Sequence, residues 1–167
     1  MYKIAKFEKV SEGRFTCDSK VTDDNLHQDY KDLKLPKRAT KGSAGYDFFA
    51  PMDIELHPGE QAVIATGIRC RMDEDWVLQI FPRSGLGFKY KMQLFNTVGI
   101  IDSDYYHSSN EGHIMIKIYN DSKNNSVLRV NKGEAFAQGI FLQYGVTIDD
   151  ENDEHEIRNG GFGSTTK

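Results

Sequence analysis

The residues of this chain best suited to chemistry gather in residues 96–106, Asn-Thr-Val-Gly-Ile-Ile-Asp-Ser-Asp-Tyr-Tyr, where an apolar run ends on a carboxylate. Val98-Gly99-Ile100-Ile101 can be buried on both faces as a strand, Asp102 follows at once, and Ser103-Asp104 suits a hairpin turn. A carboxylate at the mouth of a hairpin, with the Tyr105 ring three residues on, can hold a water above a flat ligand. Taken alone the segment reads equally as an ordinary turn, because Asp is a favoured turn residue. A second group is Pro82-Arg83-Ser84-Gly85-Leu86-Gly87, which follows a run of β character and opens a loop. Backbone amides freed by glycine, a serine hydroxyl and a guanidinium suit phosphate oxygens. Its plain alternative is a strand-to-helix turn carrying a surface arginine. The third group is the end of the chain, where Arg158 precedes Gly160, Gly161, Phe162 and Gly163. Such a segment forms no core of its own, so it is either disordered or ordered by a ligand.

Five segments, in order, resemble the signature motifs of the trimeric dUTP pyrophosphatases (dUTPases): Ala44-Gly45-Tyr46-Asp47, Pro82-Arg83-Ser84-Gly85, Gly99-Ile100-Ile101-Asp102-Ser103-Asp104-Tyr105, Gly133-Glu134 with Ala137-Gln138, and Gly160-Gly161-Phe162-Gly163-Ser164-Thr165. The resemblance implies hydrolysis of dUTP to dUMP and pyrophosphate with Mg2+, in a homotrimer whose three sites lie between subunits. It implies that Asp102 is the general base for a water attacking the α-phosphorus, and that Arg83, Ser84, Gly85 and Gln138 lie along the phosphates. Tyr105 resembles the tyrosine whose ring packs under the deoxyribose and excludes a 2′-hydroxyl. Asn96 offers the donor and acceptor that the imide edge of uracil needs, and backbone groups of Ile100, Ile101 and Met115 are expected to complete that reading from a strand-like hairpin. Asp47 resembles the aspartate tied to the magnesium site through water, with no direct protein ligand required. Phe162 would stack on the base, while Arg158, Gly163 and Ser164 would meet the γ-phosphate as a closing arm. Three departures stand out. Ala135 occupies a place where many members carry arginine, residues 106–111 are inserted before Gly112, and the last motif is one residue short.

These groups need a scaffold that holds loops at strand ends, and the chain from residue 34 onward reads as all-β. Short runs at 45–50, 54–56, 62–68, 76–81, 93–95, 98–101, 114–119, 126–130 and 137–144 alternate with Gly, Pro, Asn and Asp breakers. Ile114, Ile116 and Ile118 share one face of the clearest alternating run. The expected fold is a jelly-roll-like distorted β-barrel with a flexible glycine-rich C-terminal arm. Two further strands are expected at 2–10 and 14–17 around Ser11-Glu12-Gly13, then a polar loop or short helix over 18–34, and no helix of length elsewhere. The organisation read from composition is a core over 1–148 with an N-terminal extension, followed by an acidic linker and the arm over 149–167.

Composition narrows the functions. The 167 residues are 38% hydrophobic and 28% charged, as a globular chain requires, and are long enough for a sizeable core. A net charge of −4 without a basic block excludes a phosphate-backbone reader of nucleic acid, although Arg83, Lys89 and Lys91 could serve one polyphosphate. Cys17 and Cys70 form no CxxC pair, and the five histidines show no zinc spacing. No run approaches membrane-spanning length, so a cytoplasmic protein is expected. Two rivals share the frame: a dCTP deaminase-like enzyme, and a nucleotide-responsive binder of a regulatory protein. The partner surface of the latter would fall on the N-terminal segment or the insertion at 107–111. Product analysis with dUTP, dCTP and dTTP separates the enzymes.

Overall fold

The computed structural model describes residues 2–20 and 25–150, and strands dominate them. In chain order the elements are β1 (Ala5–Lys9), α1 (Glu12–Ser19), α2 (Leu26–Asp32), β2 (Lys37–Arg38), β3 (Tyr46–Phe49), β4 (Ile54–Leu56), β5 (Gln61–Ala65), β6 (Ile68–Met72) and β7 (Trp76–Pro82). There follow α3 (Ser84–Tyr90), β8 (Met92–Leu94), β9 (Gly99–Ile101), a 3-10 helix (Ser103–His107), β10 (Met115–Asn120), β11 (Leu128–Val130) and β12 (Ala135–Gln143). All pairings are antiparallel. The largest sheet has the order β2-β3-β12-β7-β9, a second is β5-β10-β8, and β1-β6 and β4-β11 form ribbons.

One core draws on all four sheets, through Phe48, Leu78, Ile80, Leu128 and Phe136 among others, with Phe7 of β1 packed against it. The alternation read from the sequence explains it: Ile114, Ile116 and Ile118 all face inward and are essentially inaccessible. Asn120 continues that face and is also fully buried. It is held there by donating to Leu56 O and Ser126 O and accepting from Ser122 N–H. The fold is the all-β jelly-roll type that the strand pattern predicts. No helix among the described residues is long and apolar enough to cross a membrane.

Four expectations are corrected. The strand expected at 14–17 is α1, because Ser11 is a helix cap and not a turn residue: its hydroxyl accepts from Arg14 N–H at 3.1 Å, and Phe15 is buried one turn on. The polar stretch after it contains α2, the short helix that was one of its two expected forms, whose Tyr30 ring lies 6.0 Å from that of Phe15. The single run at 62–68 breaks into β5 and β6. Gly67 adopts a left-handed φ of +71°, and Thr66 turns its hydroxyl onto Ile114 O at 2.6 Å. Pro82-Arg83-Ser84-Gly85 leads from β7 into α3, so the strand-to-helix turn is the local structure there. Finally, Asp102 does not open a two-strand hairpin. β9 pairs with β7 rather than with β10, and Ser103–His107 is a 3-10 helix.

Candidate active site

The first-motif and fourth-motif residues meet on the large sheet. Gln138 of β12 sits opposite Asp47 of β3 on one side and Phe81 of β7 on the other, so the register alone brings both motifs beside the end of β7. Gln138 Nε2 donates to Pro82 O at 3.2 Å, and Arg83 Nε lies 3.4 Å from Asp47 Oδ1. The Arg83 side chain is 41% exposed against 15% for Asp47, so the guanidinium covers the carboxylate while keeping donors toward solvent. Ser84 and Gly85 follow, exposed, in the first turn of α3. Arginine, hydroxyl and amide therefore share one open corner, suited to an anion.

The base-reading candidates meet elsewhere. Asn96, Ile101 and Met115 line one cavity of about 860 Å3, together with Gly99, Phe95 and Lys117. Lys117 Nζ stands 3.7 Å from the centre of the Phe95 ring. Ile100, between two lining residues of the same strand, points the other way and is exposed. Part of the cavity wall was invisible in the sequence reading: Asp18, Ser19 and Lys20 at the end of α1, and Ser109 and Asn110 of the inserted segment. No local pattern marks these residues as neighbours of Asn96.

Asp102 is half-buried and lines a second cavity of about 560 Å3 with Arg71, Glu74, Tyr106 and Tyr144. Its carbonyl accepts from Tyr105 N–H at 3.2 Å, which starts the 3-10 helix. Tyr105 departs from expectation. Its ring is only 5% exposed and does not line the Asn96 cavity. Its hydroxyl donates to His113 O and accepts from Asn110 Nδ2, both at 2.8 Å. The insertion causes this: residues 108–113 fold back over the 3-10 helix, and left-handed Glu111 and Gly112 make the reversal. A Cβ on Gly112 would lie 2.7 Å from Tyr106 Cα. Tyr105 is thereby a clasp within this loop rather than an open hairpin aromatic.

The third motif and the phosphate corner are also far apart. β9 is antiparallel to β7 with Gly99 opposite Ile80 and Ile101 opposite Leu78, so Asp102 leaves the sheet beside Val77. Arg83 lies beyond the other end of β7, six positions along; at about 3.3 Å per residue the two are ~20 Å apart. That span far exceeds a triphosphate. Arg158, Phe162, Gly163 and Ser164 lie outside the described residues.

For magnesium, the chemistry of the donors is informative. Among the described residues no group of three His, Cys, Asp or Glu could cage a metal, and Asp47 is a single carboxylate already paired with Arg83. Donors of this kind suit an ion held by phosphate oxygens and water better than one caged by carboxylates.

A family model described as dUTPase matches residues 31–166. The deoxyuridine 5′-triphosphate nucleotidohydrolase of Lactococcus lactis subsp. lactis is 42% identical over 134 residues, covering 80% of this chain and 88% of that protein. That of Tolumonas auensis is 39% identical over 140 residues, covering 80% and 88%. Among solved structures, the dUTPase of Streptococcus mutans superposes with a TM-score of 0.65 at 32% identity, covering 84% of this chain and 97% of that one. A dUTPase from phage phi11 of S. aureus, described with a structural Mg(II) ion, shares the fold at 21% identity, with a TM-score of 0.63 and coverage of 87% and 94%.

Proposed function

The chain belongs to the dUTPase family and is a dUTP nucleotidohydrolase, and from that premise we propose how its residues divide the reaction. Uracil enters the cavity of Asn96, Ile101 and Met115, where the Asn96 amide and the strand backbone at Ile100 and Ile101 pair with its imide edge. Asp102, one residue beyond, takes a proton from a water whose oxygen bonds to the α-phosphorus as the bond to the β-phosphate oxygen breaks. The products are dUMP and pyrophosphate. Arg83, with the Ser84 hydroxyl and Gly85 amide, holds the leaving phosphates, and Gln138 keeps that corner in place through Pro82 O. Bound magnesium would neutralise phosphate charge, with Asp47 as its outer contact. Arg158, Phe162, Gly163 and Ser164 are assigned the closing arm over base and γ-phosphate.

The observation that carries this reading is the length of β7. Within one chain Asp102 and Arg83 stand at opposite ends of the strand, too far apart for one triphosphate to touch both. A composite site resolves the separation: Asp102 from one subunit works with Arg83 of a neighbour, which a homotrimer with three sites between subunits provides. Complementation tests it. Asp102→Asn and Arg83→Ala should each lower turnover at least about a hundredfold, the usual worth of a general base or of a preorganised charge. After subunit exchange between the two variants, random assembly restores roughly a quarter of the sites. Recovery no greater than the sum of the separate variants would place both residues on one chain's site and end this reading.

A further inference from the structure

The N-terminal segment carries none of the motif residues, yet its first helix ends on the nucleotide cavity. Asp18, Ser19 and Lys20 line it, as do Ser109, Asn110, Asn96 and Phe95. Two fastenings hold the helix there, and both come from residues 111–113. At its start, the Glu111 carboxylate accepts from Ser11 N–H at 2.8 Å and from the Ser11 hydroxyl at 2.6 Å. At its end, Asp18 Oδ2 lies 2.7 Å from His113 Nδ1. The direction of that bond is fixed. His113 Nε2 accepts from Gly67 N–H at 2.8 Å, so Nδ1 carries the proton and donates to Asp18. The imidazole is completely buried, so it cannot yield, and the other Asp18 oxygen accepts from Arg14 at 3.3 Å. An aspartate on the last turn of a surface helix is thus tied to a rigid point of the barrel.

We infer that the end of α1 is a wall of the nucleotide site, and that Asp18 is the positioning residue that sets where this wall stands. Lys20 caps the helix in a left-handed conformation and is an exposed lining residue of the cavity, which gives the wall a cation. The Asp18 carboxylate is offset by Arg14 and held by His113, so its part here is to place the helix end. This inference rests on the reading of the cavity as the uracil site, and the variants are chosen to separate the two.

Ser19→Trp places bulk in the cavity from a half-buried helix position, and Lys20→Glu reverses the charge at its edge from an exposed one. Steady-state turnover of dUTP and binding of a non-hydrolysable dUTP analogue are measured with thermal unfolding on the same full-length samples. Each variant should raise KM about tenfold with kcat within about twofold, the pattern of lost ground-state binding. Asp18→Ala should raise KM about fivefold, and Asp18→Asn, which still accepts from His113, should return it to the wild-type value. A purely structural Asp18 would lower the melting temperature of the alanine variant and leave KM alone. Asn96→Ala is the separate test of the cavity. A silent Asn96→Ala beside a raised KM in Ser19→Trp keeps the wall and removes Asn96 from the base. Unchanged KM in both Ser19→Trp and Lys20→Glu, or in Lys20→Glu alone if the tryptophan variant does not fold, overturns the wall.

Discussion

Two glycines separate the site from its scaffold, because the same substitution meets different neighbours at each. Gly45 lies alongside β12, where an added Cβ would stand 2.6 Å from Gln138 Oε1. That oxygen is the end of a flexible side chain, so the amide swings away, and its Nε2 leaves Pro82 O. One hydrogen bond at about 0.5–1.5 kcal/mol is lost, which for a domain of this size lowers the melting temperature by about 1–6 °C. Gly139, one residue past Gln138, is different in kind. Its Cβ would stand 2.8 Å from Leu78 Cδ1, 3.0 Å from Phe48 Cε2 and 3.3 Å from Ile80 Cδ1, all in the core. None of these can swing out, so the core is overpacked by about 1–3 kcal/mol, or about 2–12 °C. Gly45→Ala should therefore lose activity beyond its loss of stability. Freeing the Pro82-Arg83 corner should lower kcat/KM about tenfold, equal to about 1.4 kcal/mol of transition-state stabilisation. Gly139→Ala should melt earlier yet keep kcat/KM per folded molecule within about twofold. Pyrophosphate release and circular dichroism melts on the same preparations decide it. Full activity in Gly45→Ala would show that Gln138 does not hold the phosphate corner.

His113 predicts a pH dependence of stability, since burial lowers its pKa below 6.5 despite the raising effect of Asp18 and Glu111, with Arg14 adding to the lowering. The unfolded chain then takes up a proton that the fold refuses, so this contribution is intact above about pH 6.5 and is lost as pH falls below it; His113→Gln should flatten that part of a melting-temperature profile. Asn120→Ala removes the partner of Leu56 O, Ser126 O and Ser122 N–H inside the core, and should destabilise by about 2–4 kcal/mol in chemical unfolding with kcat/KM unchanged; a loss under about 0.5 kcal/mol would refute the account of this buried amide.

Strands were legible where apolar residues and breakers alternate, as in β10, because a pleated strand with one buried face imposes that period on its residues. The break between β5 and β6 was not, since it depends on one left-handed glycine and one hydroxyl turned onto a distant carbonyl. Helix α1 was read as a strand for a related reason. Eight residues with one buried aromatic carry little helical period, and the cap that starts them looks like any Ser in a turn. The phosphate corner was legible as residue types, and the register of β3, β12 and β7 brings those types together. The burial of Tyr105 was not legible because its setting is made by a loop that folds back on it, through Asn110 and His113 O, after the motif has ended.

The N-terminal helix and the inserted segment, which carry none of the expected site residues, are partners of one another. A helix of eight residues is too short to persist alone in water, so α1 must borrow its order from tertiary contacts. Among the described residues these include Phe15 in the core it shares with Val10, Leu26 and Leu33, Glu12 on His27, Ser11 on Glu111, and Asp18 on His113. The Glu111 carboxylate sits where the first amides of the helix point outward, and the Ser11 hydrogen bonds hold its pKa below the usual carboxylate value. The dependence runs both ways. Residues 108–113 reverse through two consecutive left-handed positions, a conformation that Glu111 adopts at a cost which its hydrogen bonds to Ser11 offset. Insertion and helix are therefore one device, each holding the other through Ser11 with Glu111 and Asp18 with His113.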